Sequence, residues 1–197
     1  MQVPQKIIDA AVDVFGRHGY RQANIGVIAE RAGMSRQALY RYFDGKEALY
    51  RWITEDMHVR ALSAAKEAAK SAQRSGEDAA QVLFATLRAR YAPFLDLLHL
   101  SPHANEFLEE NNRLCGDIAT KHNKKLLGLV AAVLDEEAES GRLGFAEGMN
   151  ARDLARIAVS LAVALKSGTP PPSSAAFGRD LERALRLLVA GSNSVSR

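Results

Sequence analysis

Residues Asn24 to Lys46, NIGVIAERAGMSRQALYRYFDGK, restrict the possible fold more than any other part of the chain. Asn24 and Ser35 are residue types that cap helix N-termini, and Gly33 can adopt the positive φ that a sharp reversal requires. Apolar side chains follow each cap at the spacing of one helix face: Ile25, Ile28 and Ala29, then Leu39 and Phe43. The pattern predicts a helix-turn-helix, with a second helix from Ser35 to about Phe43.

The predicted second helix carries side chains suited to DNA. Arg36 can donate two hydrogen bonds to guanine, and Gln37 can both donate to and accept from adenine. Tyrosine hydroxyls, and a lysine near the start of the next helix, suit phosphate oxygens. The predicted DNA-binding residues are Asn24, Ser35, Arg36, Gln37, Tyr40, Arg41, Tyr42 and Lys46. Spacing alone leaves open a helical hairpin that caps a larger core and exposes a few charges.

Residues 5 to 50 resemble the DNA-binding domain of the TetR family of transcriptional regulators. The similar residues are Ile8, Ala11, Phe15, Gly19, Tyr20, Ile28, Ala29, Ala32, Gly33 and the run SRQALYRYFDGKEALY. Two positions depart from the family pattern. Ala23 stands where Thr or Ser is common, so the cap and the phosphate contact fall to Asn24, and Gln37 stands where a small residue is usual. We therefore expect Gln37 to contribute to sequence preference.

Composition limits what the rest of the chain can be. The 197 residues are 47% hydrophobic and 25% charged with a net charge of +3, which indicates a globular protein rather than a polycation. No apolar run approaches the roughly 18 residues that span a bilayer, and the first residues lack a signal peptide's apolar stretch. The single cysteine, Cys115, fits a reducing compartment. We expect a cytoplasmic protein without a membrane partner.

Helical signals continue to the end of the chain, and strand signals are missing. We predict an all-α fold with a three-helix helix-turn-helix domain at residues 1–48. A larger helical domain for ligand binding and dimerisation follows at residues 49–197. The predicted helices span residues 4–18, 46–71, 77–100, 102–140 as one helix or two, 153–166 and 175–190. Pro93 is expected to kink or end its helix locally. The acid-rich segment 106–110 is predicted to be a solvated helix face.

The last two predicted helices each carry a stripe of leucines with small alanines beside them. Their candidate interface residues are Leu154, Ile157, Leu161, Leu165, Leu181, Leu185 and Leu188. Two such helices from each of two chains could form a four-helix bundle. A dimer would also carry two helix-turn-helix units, one for each half of a palindromic site. The resemblance also implies dimerisation through the last two helices. Burial of both stripes in the chain's own core is the alternative that the pattern leaves open.

The resemblance implies a small-molecule pocket in the middle region. Candidate lining residues are Met57, Phe84, Tyr91, Phe94, His99, Phe107 and Cys115. Few charges interrupt these faces, so a largely apolar effector is expected. The alternative for such an aromatic stripe is solid core.

Other chemistry has little support. Ser101 and Pro102 separate His99 from His103, so no metal site is expected, and no phosphate-binding glycine loop or nucleophile motif is present. We expect no cofactor and no catalytic residue. The sequence predicts a homodimeric repressor that a ligand releases from a palindromic operator. A DNA-binding regulator controlled by a protein partner is the alternative, and an all-α enzyme or binding module is a distant third.

Overall fold

The computed structural model describes residues 3–168 and 170–193, and those residues contain eight α-helices and no strand. The helices are α1 Gln5–Gln22, α2 Ile25–Arg31, α3 Arg36–Tyr40, α4 Lys46–Arg74, α5 Ala79–Leu100, α6 Ala104–Glu139, α7 Ala151–Lys166 and α8 Ser174–Asn193. The all-α prediction is confirmed, with an N-terminal helix-turn-helix and a larger helical part. Among the described residues, no helix is long and apolar enough to cross a membrane.

The chain divides into two compact units. The first comprises Met1–His58 and Leu98–Thr120, and the second comprises Val59–Leu97 and Lys121–Arg197. The helix-turn-helix therefore shares its unit with the first half of α6, which lies far away in sequence. The division into domains after residue 48 stays a prediction, because a compact unit is not a measure of independent folding.

The core of the first unit forms around α1. Ile7, Ala11, Val14 and Phe15 point inward, as their helical spacing predicts. Three aromatic rings meet in this core: Phe15 lies edge-on to Tyr50 at 5.4 Å, and Tyr20 lies edge-on to Tyr50 at 4.9 Å. Burial raises the pKa of Tyr50, so its hydroxyl stays protonated. Leu114, Cys115 and Ile118 of α6 complete the same core.

Two helix ends in this unit differ from the prediction. Helix α1 runs on to Gln22 instead of ending at His18, with a kink at Gly19, whose φ of 72° is in the left-handed region. Helix α3 ends at Tyr40 instead of Phe43, because the amides of Tyr42 and Phe43 both bond to the Leu39 carbonyl at 3.0 and 3.2 Å. The shared carbonyl closes a turn where a continuing helix would use successive carbonyls.

The core of the second unit is built from α5, the second half of α6, α7 and α8. Ala155, Ala158 and Ala162 give α7 a buried face of small side chains, which fits close packing against α8. The side chain of Asn150 caps α7 by accepting from the amides of Arg152 and Asp153 at 2.9 and 3.1 Å.

The structure decides two questions that the sequence left open about the long helices α5 and α6. Pro93 does not end α5, which runs from Ala79 to Leu100 through it. The segment before Ser140 is one helix of 36 residues rather than two. It ends where Gly141 adopts a φ of 75° and the Arg142 guanidinium bonds to the carboxylate of Glu137 at 2.7 and 2.9 Å. That carboxylate has no exposed surface, and the hydrogen bonds from Arg142 lower its pKa.

Candidate DNA-binding surface

Side-chain caps fix the start of both helices of the helix-turn-helix. Asn24 Oδ1 accepts from the Gly26 amide at 2.7 Å, and Ser35 Oγ accepts from the Ala38 amide at 3.1 Å. Gly33 has a φ of 63°, and the Met34 amide bonds to the Ala29 carbonyl at 3.0 Å. Both predicted caps and the glycine turn are therefore present, and they set the angle at which α3 leaves the body.

Helix α3 has one buried and one exposed side. Leu39 has no exposed surface, whereas Arg36, Gln37, Tyr40 and Arg41 are exposed. The Arg36 guanidinium donates to the Tyr40 hydroxyl at 3.3 Å and lies 5.6 Å from the centre of its ring. A cation, an amide and a phenol thus share one solvent-facing surface on a helix that is held from beneath. These side chains can exchange hydrogen bonds to water for hydrogen bonds to base edges without any change in the core.

Lys46 and Tyr42 are more embedded than their predicted roles require. Lys46 Nζ donates to the carbonyls of Tyr20 and Arg21 at 2.8 and 3.1 Å and lies 4.5 Å from the Tyr20 ring centre. The ammonium therefore satisfies carbonyls at the end of α1. Tyr42 is half-buried and packs against the core of the first unit. Phosphate binding by either residue stays a prediction.

The N-terminal half of α6 is bound to the end of α1 by an acidic cluster. The Arg21 amide donates to Glu106 Oε1 at 2.6 Å, and its guanidinium reaches Glu109 at 2.9 Å and Glu110 at 3.0 Å. Hydrogen bonds from Arg113 and then from Arg21 lower the pKa of Glu110. The solvated face predicted for residues 106–110 is wrong for Glu106 and Glu110, because both face Arg21 and Glu110 is buried.

More contacts join α6 and the loop before it to the same domain. Ser101 Oγ and the His103 ring bond to the carbonyls of Gly16 and Arg17 at 3.4 and 3.0 Å. Arg51 of α4 bonds to Asp117 at 3.0 and 2.7 Å and also donates to the Leu114 carbonyl. The Arg51 guanidinium lowers the pKa of Asp117 to about 2. These supporting contacts were not predicted, since partners 63 to 89 residues apart leave no local signal.

The candidate ligand residues fall in both units. Met57, His99, Phe107 and Cys115 belong to the first unit, and Phe84, Tyr91 and Phe94 belong to the second. Cys115 has no exposed surface, and burial raises the pKa of its thiol. Such a thiol is protonated and poorly reactive. Tyr91 is also core, whereas Phe84 and Phe94 are half-buried and His99 is exposed.

A surface groove of about 590 Å³ lies between the second half of α4 and α5 within the second unit. Phe84 is the one candidate ligand residue among its walls. The other walls are mostly small or charged, including Ala68, Ala85, Arg88, Ala89 and Asp96. The groove therefore does not match the aromatic pocket that the sequence predicts. No cluster of three or more metal-ligating side chains occurs among the residues that the structure describes.

The candidate interface residues also separate by burial. Leu154, Leu181 and Leu185 have at most 1% of their surface exposed and belong to the core of the second unit. Ile157 is 42% exposed, and Leu161, Leu165 and Leu188 are half-buried. Leu187, which the stripe analysis did not include, is 76% exposed. Ile157 and Leu187 are therefore the large apolar side chains that α7 and α8 leave exposed, while the three buried leucines belong to the core of the second unit.

The helix-turn-helix also matches known proteins in sequence. The family described as bacterial regulatory proteins, tetR family, matches residues 7–53. The fatty acid metabolism regulator protein of Bacillus subtilis (strain 168) is 45% identical over 42 residues, which are 21% of this chain and 22% of that protein. The matched region thus spans about a fifth of the length of this curated relative.

Solved structures match almost the whole chain. A protein from Mesorhizobium loti MAFF303099, described as a TetR-family transcriptional regulator, superposes with a TM-score of 0.74 at 19% identity over 95% of both chains. FadR from Bacillus subtilis in complex with stearoyl-CoA superposes with a TM-score of 0.65 at 22% identity, covering 95% of this chain and 98% of that one. At this identity the superpositions show the fold alone.

A capped helix-turn-helix on a larger helical body defines the class of helix-turn-helix regulators. Within that class, residues 7–53 match the N-terminal domain of the tetR family of bacterial regulatory proteins, and the described helices adopt a TetR-like fold.

Proposed function

We propose that this protein is a transcriptional regulator that binds a palindromic DNA operator as a homodimer and is released from it by a small-molecule effector. The observation that carries the DNA-binding part is the exposed face of α3. Arg36, Gln37 and Tyr40 project from a helix whose start is capped and whose other side is buried. The N-terminal residues of such a helix reach base edges when the helix enters the major groove.

The homodimer is supported by the surface of α7 and α8. Ile157 and Leu187 are large apolar side chains that remain exposed in a single chain, each on one of the last two helices. Two helix-turn-helix units about one helical turn apart, or a multiple of it, would read the two halves of a palindrome. Such a regulator acts in the cytoplasm, where bacterial DNA is found.

The effector is supported by the relatives and by the course of two helices. A structural neighbour binds stearoyl-CoA, and one sequence relative regulates fatty acid metabolism, so an effector with a long apolar part is the first to test. Helices α4 and α6 each contribute residues to both units. An effector that binds the DNA-incompetent conformation better weakens DNA binding, and DNA weakens effector binding by the same factor.

The test of DNA binding is selection of target sequences with the full chain, followed by fluorescence anisotropy on the selected duplex. We expect a palindrome, bound tightly and with a steep salt dependence. Arg36→Ala should weaken this binding and relax the preference at one base position. Arg74→Ala removes an exposed arginine at the end of α4 and serves as the matched control. Enrichment of no sequence, or equal effects of the two substitutions, would contradict the proposal.

A further inference from the structure

A buried arginine on α5 is the least expected charge in the second unit. Arg90 is 1% exposed and is among the largest fully buried side chains of the described chain. Its guanidinium carbon lies 5.2 Å from the ring centre of Tyr91 and 5.1 Å from that of Phe94. Burial lowers the pKa of Arg90, although an arginine keeps its proton in proteins.

A second cation approaches the same aromatic ring. Lys166, the last residue of α7, places Nζ 5.8 Å from the ring centre of Tyr91. Burial, and then the positive charge of Arg90, lower the pKa of Lys166. The two basic groups therefore destabilise each other, and an anion that contacts both would relieve that repulsion.

The hydroxyl of Tyr91 provides an unused polar group at the same place. Tyr91 is 3% exposed, and its oxygen is buried with no hydrogen-bond partner among the described residues. Burial raises the pKa of Tyr91, so the phenol keeps its proton and can donate it in a hydrogen bond. A buried hydroxyl left without a hydrogen bond is unfavourable. Its ring is fixed by an edge-on contact with Phe177 at 6.1 Å.

We propose that Arg90, Tyr91 and Lys166 bind the carboxylate of the effector, and that the remainder of the effector is apolar. A planar guanidinium matches a carboxylate in a two-bond geometry, the ammonium adds a point charge, and the phenol adds a donor. The surrounding side chains, including Leu87, Leu95 and Phe94, offer hydrocarbon to the rest of the molecule. The inference rests on the proposed function only for the claim that binding here alters DNA affinity.

A single negative charge fits this site better than a phosphate does. A phosphate monoester carries close to two negative charges at neutral pH, and burial of a second charge adds a large desolvation cost. The cluster supplies two cations, and burial already lowers the pKa of both. The sequence alone predicts a largely apolar effector. The site restricts this class of effector to amphipathic acids.

The experiment compares head groups on one hydrocarbon tail. Thermal unfolding and isothermal titration of the full chain are measured with dodecanoate, dodecanol, dodecylamine, dodecyl phosphate and dodecanoyl-CoA. We expect dodecanoate to raise the unfolding temperature and to bind at least about tenfold more tightly than the other four compounds. Equal binding of the alcohol or the amine would overturn the proposal. So would tighter binding of the phosphate or the thioester. Octanoate and hexadecanoate are measured in the same way, and failure of all three carboxylates to bind would also overturn the proposal.

Substitutions separate a binding role from a structural one. Tyr91→Phe keeps the ring and removes only the hydroxyl, and Lys166→Met keeps much of the chain length and removes the charge. Without ligand, both variants should unfold at the wild-type temperature or above it, because Tyr91→Phe removes a buried hydroxyl with no hydrogen-bond partner and Lys166→Met removes a half-buried charge. Both should lose about tenfold in dodecanoate affinity and leave dodecanol unchanged. Lys66→Met, at an exposed lysine of the same unit, is the control. Unchanged dodecanoate affinity in both variants would refute the site.

DNA binding distinguishes failure of this site from failure of the proposed function. If the wild-type chain binds its selected palindrome but no carboxylate, the regulator stands and the ligand class is wrong. If dodecanoate binds through Arg90 and Lys166 but leaves the affinity for DNA unchanged, the site stands and effector control through it is wrong.

Discussion

The carboxylate of Glu106 occupies the space in which a β-carbon on Gly19 would lie. Residue 19 also has a φ of 72° and a ψ of 170°, which L-residues with a side chain adopt only at a cost of about 1–3 kcal/mol. Two separate constraints therefore require glycine at position 19: the backbone conformation of that residue and the Glu106 carboxylate on α6. The consequence is close contact between the end of α1 and the helix that Arg21 also binds.

Gly19→Ala should destabilise the protein by about 2 kcal/mol and also weaken DNA binding, because Glu106 must move and its bond to the Arg21 amide is disturbed. Chemical denaturation measures the first effect and anisotropy the second. Gly16→Ala is the matched control, since a β-carbon there meets no atom within 4 Å. It should be neutral or stabilise the helix by up to about 1 kcal/mol. Similar losses in both variants would show that Glu106 is not the obstacle.

Lys46→Met should reduce both stability and DNA affinity. The ammonium bonds to two carbonyls at the end of α1, and hydrogen bonds that involve a charged group contribute about 1.5–3 kcal/mol. If Lys46 also contacts a phosphate, the substitution lowers affinity equally for all operator sequences. Urea denaturation and anisotropy are the measurements. Lys6→Met, at an exposed lysine of α1, is the control, and wild-type stability in Lys46→Met would contradict the observed contacts.

Gln37→Ala should change which operator sequence is preferred, because a long amide on the exposed side of α3 can form paired hydrogen bonds with adenine worth about 1–3 kcal/mol. Target selection repeated with the variant tests this. The stability of the fold should not change, since Gln37 is exposed. An identical selected sequence would assign the preference to other residues of α3.

Ile157→Arg and Leu187→Arg should convert a dimer into monomers that remain folded. Both side chains are exposed in the single chain, so charge there affects stability by no more than about 0.5 kcal/mol. Sedimentation velocity gives the oligomeric state and circular dichroism the fold. Leu108→Arg, at an exposed leucine of the first unit, should leave the dimer intact. Leu185→Arg is a poor test of the interface, because this side chain is buried and an arginine there should unfold the monomer.

Stability should fall in acid partly through Glu137. Hydrogen bonds from Arg142 hold the pKa of Glu137 below its value in the unfolded chain. The unfolded chain therefore binds more protons, and the stabilisation is present above about pH 4.5 and lost as the pH falls through the folded-state pKa. Denaturation between about pH 6 and pH 3 should show a weaker pH dependence for Glu137→Gln than for wild type. The same dependence in both proteins would mean that the pair contributes nothing.

Local signals were sufficient for the parts of the site that are built from neighbouring residues. The caps at Asn24 and Ser35 and the turn at Gly33 follow from residue type and spacing, and the structure contains all three. Contacts between distant residues could not be predicted in this way. The roles of Arg21 and Glu106 depend on where α6 packs, which no nearby residue encodes.

Amphipathic stripes raised a different difficulty. Leu185 and Leu188 fit the same helical stripe, yet one is fully buried and the other half-buried. Periodicity identifies an apolar face but not the surface that covers it. The same ambiguity explains why the sequence predicts Tyr91 as a candidate ligand residue but not Arg90 beside it. A charged residue is normally assigned to the solvent side, and only the packing of α5 shows it to be buried.

Pro93 affects how easily α5 can bend. Proline has no amide proton, so the Ala89 carbonyl receives no helical bond from residue 93. Bending an ordinary helix lengthens such bonds, but this turn has one fewer to strain. Arg90 and Tyr91 lie within that turn, so the residues proposed to meet the carboxylate sit on the least stiff part of α5. The rate at which a carboxylate effector enters and leaves would then depend on how easily this turn of α5 bends, more than on the size of any preformed opening.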